Sequence, residues 1–286
     1  MAGYTTFGIG GPAQLLAEVT AVEDLAGLVT AARADGIPVM VLGEGSNVLV
    51  SDNGVDGLVV VNRCQGIRRE GNQITAEAGA RLHDVIDLAI GAGLGGMETM
   101  VGIPGTVGGA VVGNAGAYGQ SISDVLGSAK LLREDGQIIT QRREGLGFAY
   151  RTSRLKQSHD VVLSAEFVLT PGDREALRRS GDAIIARRKS KLPLWNDCAG
   201  SYFKNIEDSG APNGKIPAGK LLEEAQAKSF RMGQAAVSEH HANVIVNLGG
   251  ATAAEVLALA EQMKHAVLVK FGVELEEEVR FLGRAG

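Results

Sequence analysis

Residues 91–119 read GAGLGGMETMVGIPGTVGGAVVGNAGAYG, the densest glycine run in a chain that carries 40 glycines against 4% aromatic residues. Ordered glycine costs backbone entropy, so such a bias implies positive φ angles or close backbone approach. Gly91, Gly93 and Gly96 satisfy GxGxxG, a pattern that marks a dinucleotide turn only where it follows a strand and opens a helix. Immediately upstream, Leu82, Val85, Ile86 and Ala89 recur at helical spacing. The match therefore follows a helix, and it reads as a helix stop and tight loop rather than as the first turn of a doubly wound sheet.

On the N-terminal side, Leu25, Leu28, Val29 and Ala32 predict a helix over 23–35, stopped at Gly36 and followed by a strand from Ile37 to Leu42. Leu58 to Val61 reads as another strand, and alternation around Gly71-Asn72 predicts a hairpin over 67–78. On the C-terminal side, Asp135-Gly136 predicts a second hairpin. Val161 to Leu169 adds a strand, and a basic helix over 173–190 runs up to Pro193. The last third predicts a helix near 218–225, a strand at Val244 to Val246, a long helix over 252–271 and a closing strand over 273–282. Short strands with few βαβ units favour an α+β fold. The expected organisation is a first domain at 1–172, a connecting helix and linker at 173–194, and a smaller α/β domain at 195–286 whose final strand is free to return toward the first.

A chain of 286 residues can bury a sizeable core, and its net charge of -5 argues against a general nucleic-acid binder. Cys64 and Cys198 stand in no disulfide framework or metal-ligand spacing. No apolar run reaches the length of a membrane span, and the residues after Met1 lack the pattern of a secretory signal. The expectation is a cytoplasmic protein with no metal, no membrane and no nucleic acid.

Two glycine loops invite a ligand reading. Gly43, Glu44, Gly45, Ser46 and Asn47 follow a predicted strand, where small residues let backbone N–H groups approach a pyrophosphate. Gly102, Ile103, Pro104, Gly105, Thr106, Val107, Gly108, Gly109 and Ala110 suggest a second cradle, with Pro104 stiffening an exposed backbone. Together, GEGSNVLVSD (43–52) and ETMVGIPGTVGGAVVGNAGAYG (98–119) resemble the flavin-binding signatures of the UDP-N-acetylenolpyruvoylglucosamine reductase family. That family shares its FAD domain with flavoenzymes of the vanillyl-alcohol oxidase type. The resemblance runs from Tyr4 to Gly283, nearly the whole chain. It implies FAD contacts at both loops and at Asn114, Gly116, Ala117, Tyr118 and Gly119. His83 and His159 lie in no matching loop, so the FAD is expected to be non-covalent.

Three further motifs resemble the family's reactive ones. In FAYRTSRLK, Arg151 corresponds to the arginine that binds the substrate carboxylate and stabilises the enolate, with Tyr150 beside it. In GSYFKN, Ser201 corresponds to the serine that protonates the substrate carbon, with Lys204 and Asn205 as binding groups. A hydroxyl is a weak acid, but its target is a strongly basic carbanion. Strand alternation places Ser201, Phe203 and Asn205 on one face. In LEEEVRFLG, Glu278 precedes Val-Arg as the family's catalytic glutamate does, and alternation sets Glu276, Glu278 and Arg280 on the face opposite Val273, Leu275, Glu277, Val279 and Phe281.

The resemblance implies hydride transfer from NADPH by way of FAD to the vinyl carbon farther from the carboxylate. Arg151 and Glu278 would stabilise the enolate, and Ser201 would protonate it. Lys189, Lys204 and Arg280 are candidates for the negative charges of the UDP-sugar, and a monomer is expected. Relative to the family, the chain begins shortly before TTFGIGG, so an N-terminal strand is expected to be absent. AQAKS (225–229) replaces a segment that is typically glycine-bearing, and the stretch between Arg151 and Ser201 resembles the shorter type without an extra substrate-covering loop. Two other readings stand beside this one: a different flavin oxidase or dehydrogenase of the same fold, which needs no Ser201 acid, and an inactive nucleotide-binding module.

Overall fold

The computed structural model describes residues 1–191, 197–211 and 214–284. The chain divides into two compact units, a larger one of Leu15–Glu44 and Gly57–Ser190 and a smaller one of Met1–Gln14, Gly45–Asp56 and Lys191–Gly286. Neither unit is one continuous stretch of sequence, so the units do not follow the contiguous boundaries expected above.

In the larger unit, helix α1 (Val22–Ala34) buries Leu25, Val29 and Ala32 on one stripe. The following strand starts at Val39 rather than Ile37. Pro38 has no N–H to donate, although its carbonyl accepts the Leu58 N–H at 2.8 Å. Val39–Leu42 pairs in parallel with Leu58 to Val61. Val59, Val60 and Val61 are fully buried, as a strand covered on both faces requires.

The main sheet of this unit is antiparallel, in the order Ile138–Arg142, Leu126–Leu132, Val161–Val168, Gln73–Glu77, Ile67–Glu70. Both predicted hairpins are present. Gly71 has φ 60°, the positive angle a type II′ turn needs at its first central position, and Gly136 has φ 82°. Helices α2 (Leu82–Gly91), α3 (Val107–Gly113) and α4 (Ile122–Val125) supply Leu82, Ile86, Val107, Val111 and Ile122 to a core completed by Ile74, Leu131 and Phe167 from the sheet. Helix α5 (Arg174–Lys191) packs Leu177, Ile184 and Ile185 on that same core, so it is part of the larger unit rather than a free connector. The expected break at Pro193 lies outside the described residues.

The smaller unit is built on helices α6 (Ala218–Glu224) and α7 (Ala253–Phe271) and a three-stranded antiparallel sheet of Arg231–Met232, Ala235–Val237 and Ile245–Asn247. Val256, Leu259, Met263 and Val267 recur along α7 and pack with Phe7, Leu49, Tyr202 and Phe203. Thr252 and Glu255 form a capping box at its start, and Gly272, at φ 69°, ends it. Asp52 adds a second cap, its carboxylate accepting from the Ala253 and Ala254 N–H groups at 2.8 and 3.0 Å. The last residue of the GEGSNVLVSD motif is thus a helix cap.

The predicted closing strand is shorter than expected. Only Arg280–Leu282 is strand, paired in parallel with Val48–Val50. Upstream, Glu277 bridges Phe203 instead. The segment changes partner midway, which breaks its alternation: Leu275 and Val279 are buried, but so is Leu282, while Phe281 is exposed.

Candidate active site

In the larger unit Gly43 and Glu44, the start of the first glycine loop, are bound to the second. A side chain at Gly43 would come within 2.3 Å of the Thr106 hydroxyl. The Glu44 carboxylate accepts the Gly105 N–H at 3.0 Å and pairs with Arg81 at 2.9 Å. Gly102 and Gly105 have φ 73° and 117°, conformations glycine alone adopts without strain.

The second loop differs from its expected form, because residues 107–113 are helix α3 and not exposed loop. The Val107 and Gly108 N–H groups donate to the Ala80 and Ala78 carbonyls, and those of Gly109 and Ala110 to the side chain and main chain of Thr106. The N–H groups of Val107 to Ala110 are thus paired within the protein. Of the loop glycines Gly109 leaves room, a side chain there meeting only the Thr106 hydroxyl at 3.7 Å, and farther on one at Gly113 or Gly119 would meet nothing within 4 Å, whereas Gly108 is pressed against Ala78 at 3.0 Å.

The turn carrying Arg151 is anchored on every side. Ala149 and Thr152 exchange backbone hydrogen bonds. Arg151 itself has φ 55°, a strained region for a residue with a side chain. Lys156 Nζ donates to its carbonyl at 2.6 Å, and Ser153 Oγ donates to the Val112 carbonyl at 2.7 Å. The Arg151 guanidinium donates to the Gly116 carbonyl at 2.8 Å and lies 5.5 Å from the Tyr150 ring. Asn114, 6% exposed and itself left-handed at φ 45°, donates to the Ala149 carbonyl and accepts the Ser123 N–H. Its amide holds the Arg151 turn, a structural role beside the flavin contact that the resemblance implies.

Arg188 was not singled out from the sequence. It is half-buried on α5, its side chain 3.3 Å from where a Cβ on Gly102 would lie. Burial is the main influence lowering its pKa; Tyr118 opposes that shift and the Arg151 charge reinforces it. The Arg188 guanidinium thus senses the Arg151 charge, and a planar fork of this kind is a donor suited to a pyrophosphate. The readable signal was spacing, since Arg188 lies four residues beyond Ile184 on the packed stripe of α5. Lys189, the expected anchor, is on the exposed side, and Arg187 lies 5.3 Å from the Tyr118 ring.

In the smaller unit, Ser201 is exposed, followed by buried Tyr202 and Phe203. Two successive buried side chains replace the alternation expected for GSYFKN. The segment is instead held from both edges. On one, the Tyr202 N–H donates to the Asn243 carbonyl. On the other, the Lys204 N–H donates to the Glu276 carbonyl and the Glu278 N–H to the Tyr202 carbonyl, both at 2.8 Å. Lys204 forms an ion pair with Glu276, and Asn205 Oδ1 accepts the Ala218 N–H at the start of α6. Asn47 and Arg280 meet here as well, through the Arg280 N–H and the Asn47 carbonyl at 3.1 Å. Thr6 donates its N–H to the Gly45 carbonyl and its hydroxyl to the Cys198 carbonyl, which ties the TTFGIGG segment to the first glycine loop and to the residues just ahead of GSYFKN. Ser201, Glu278, Asn47 and Arg280 are thereby joined through main-chain bonds, while Arg151 is set by its own unit.

Residues 192–282 match the family model for the UDP-N-acetylenolpyruvoylglucosamine reductase C-terminal domain, and residues 13–142 match an FAD binding domain. A UDP-N-acetylenolpyruvoylglucosamine reductase of Heliobacterium modesticaldum is 44% identical over 288 residues, spanning 100% of this chain and 90% of its own length. The chain belongs to the UDP-N-acetylenolpyruvoylglucosamine reductase family. A reductase of Solibacter usitatus is 42% identical across 98% of this chain and 94% of its own. The crystal structure of the Thermus caldophilus reductase superposes with a TM-score of 0.82 at 35% identity, covering 98% and 96% of the two chains. For a UDP-N-acetylenolpyruvoylglucosamine reductase, an FAD binding match over 13–142 falls where both glycine loops lie.

Among the described residues no helix is long and apolar enough to cross a membrane, and no group of three His, Cys, Asp or Glu side chains could hold a metal ion.

Proposed function

We infer that this chain is an FAD-dependent, NADPH-driven reductase that converts UDP-N-acetylglucosamine enolpyruvate to UDP-N-acetylmuramate for peptidoglycan precursor synthesis. The observation that carries the reading is full-length similarity to reductases of that name, in a chain whose Arg151, Ser201 and Glu278 motifs are all complete. FAD, when bound, supplies two-electron relay between NADPH and the enolpyruvyl double bond. Gly43 to Asn47, Gly102 to Ala110 and Gly116 to Gly119 are the segments assigned to it, with Gly109, Gly113 and Gly119 leaving space for it.

The side chains have separable tasks. Addition of hydride to the terminal vinyl carbon leaves negative charge shared between the adjacent carbon and the carboxylate. Arg151, fixed by Gly116 and Lys156, meets that charge with a planar guanidinium that needs no reorganisation. Glu278 works with it on the enolate, and the Ser201 hydroxyl delivers the proton that completes the saturated ether. Arg188 joins Arg280 and Lys204 as candidates for the anionic parts of substrate and cofactor. The reaction needs an intracellular reductant, which agrees with a cytoplasmic enzyme; we take it to act as a monomer.

The test is direct. Purified protein is expected to bind FAD with a flavin visible spectrum and to oxidise NADPH only when the enolpyruvyl substrate is present. Protein that takes up no FAD would overturn the reading, as would NADPH oxidation indifferent to the substrate.

A further inference from the structure

On the N-terminal side of Ser201, Cys198 and Ala199 are buried and the Gly200 N–H bonds the Cys198 sulfur. Gly200, at φ 75°, has open space around its α-carbon, and Ser201 itself is exposed. Its C-terminal anchor is the main chain of residues 202 and 203. Those residues meet Asn243, a 2% exposed side chain that pairs with Phe203 as a neighbouring strand would. Asn243 Nδ2 donates to the Phe203 carbonyl at 2.8 Å, and Asn243 Oδ1 accepts the Phe203 N–H at 2.9 Å. The Asn243 carbonyl also takes the Tyr202 N–H at 2.8 Å. Residue 243 thus makes three hydrogen bonds to the main chain of two consecutive residues, one in each of three successive peptide units, at a depth where water cannot replace a lost partner. The opposite edge of the same segment carries Glu278 through its N–H to the Tyr202 carbonyl. A shift of residues 202–203 moves both Ser201 and Glu278.

We propose that Asn243 is a positioning residue for the protonation step, holding Ser201 and Glu278 in register through the main chain of Tyr202 and Phe203. The proposal rests on the reading of Ser201 as proton donor. It assigns Asn243 no contact with substrate: the Ser201 hydroxyl still gives its proton to the carbon next to the carboxylate and is restored from solvent. Asn243 governs how often that hydroxyl is in place.

Asn243→Asp keeps the shape and the bond to the Phe203 N–H but loses the donor to its carbonyl. In rapid mixing of flavin-loaded protein, reduction by NADPH is expected to stay within twofold of wild type, since no proton reaches substrate in that half-reaction. Reoxidation by the enolpyruvyl substrate is expected to slow by about 10- to 100-fold, the scale of a misplaced catalytic group, with a larger solvent deuterium isotope effect and a change in kcat rather than KM. Should Asn243→Asp not accumulate as folded protein, Asn243→Ser, which keeps one hydroxyl for a single bond, carries the same test with a smaller loss. Equal slowing of both half-reactions, or no slowing of reoxidation, overturns the proposal. Ser201→Ala run in parallel separates the two readings: unaltered reoxidation there defeats the donor assignment, whereas slowed reoxidation there alone defeats only the role of Asn243.

Discussion

The Asn47 side-chain amide donates to the main-chain carbonyl of Glu278 at 3.2 Å, across 231 positions of sequence. With the Asn47 carbonyl accepting the Arg280 N–H, it extends the parallel pairing of Val48–Val50 with Arg280–Leu282 onto the proposed catalytic glutamate. Asn47→Ala is expected to lower stability by about 1 kcal/mol, the net worth of a typical hydrogen bond. Amide exchange at Glu278 and Arg280 should quicken. Urea melts and hydrogen exchange check this, and unchanged protection at both amides would remove Asn47 as the tether.

Lys156 holds the Arg151 carbonyl while Arg151 sits at φ 55°. Lys156→Met keeps the aliphatic stem and removes the donor, so the turn is free to relax from its strained angle. Turnover on the enolpyruvyl substrate is expected to fall about tenfold, with FAD content unchanged. Full turnover would mean that the turn does not depend on this ammonium.

Much of the scaffold was legible because its signals are local. The α2 periodicity, the Gly71 and Asp135-Gly136 turns and the Thr252 capping box each depend on residues within a turn or two of one another. Features set by distant partners were not. The alternation of 273–282 fails because Glu277 bridges Phe203 while Arg280 pairs with Val48. Glycines 43 and 108 reflect pressure from Thr106 and Ala78, which no local pattern shows. Arg188 hid in a run of cations, although its spacing from Ile184 marked it as inward. AQAKS put the geometry of a typically glycine-bearing loop in doubt, and Gln226 there takes φ 60°, an angle that favours glycine.

That angle leads to a stabilising substitution. A non-glycine residue in the left-handed region costs roughly 1–2 kcal/mol, and glycine gives back part of the gain through the entropy of the unfolded chain. Gln226 is exposed, so its side chain contributes little packing. Gln226→Gly is expected to raise stability by up to about 1 kcal/mol. A lower thermal midpoint would show that the glutamine side chain does more than occupy the turn.

Burial holds the Glu277 carboxyl above the usual glutamate range, with Lys264 opposing and Glu261 reinforcing the shift. A carboxyl whose pKa is raised by folding favours the folded state while protonated. That contribution is complete below the ordinary glutamate value and disappears as pH rises through the raised one. Glu277→Gln stays neutral throughout. Its stability relative to wild type is expected to increase as pH rises from about 4 to 7, read from melts at a series of pH values. A constant difference would contradict the assignment.

The measurement that bears most directly on the central claim is rapid mixing of Ser201→Ala, loaded with FAD, against each co-reactant in turn. Reduction by NADPH is expected at the wild-type rate. Reoxidation by UDP-N-acetylglucosamine enolpyruvate is expected to lose on the order of 10² to 10⁴, the usual contribution of a general acid. Equal rates for variant and wild type in the second mixing, or equal losses in both, would contradict a reductase in which Ser201 completes the reduction.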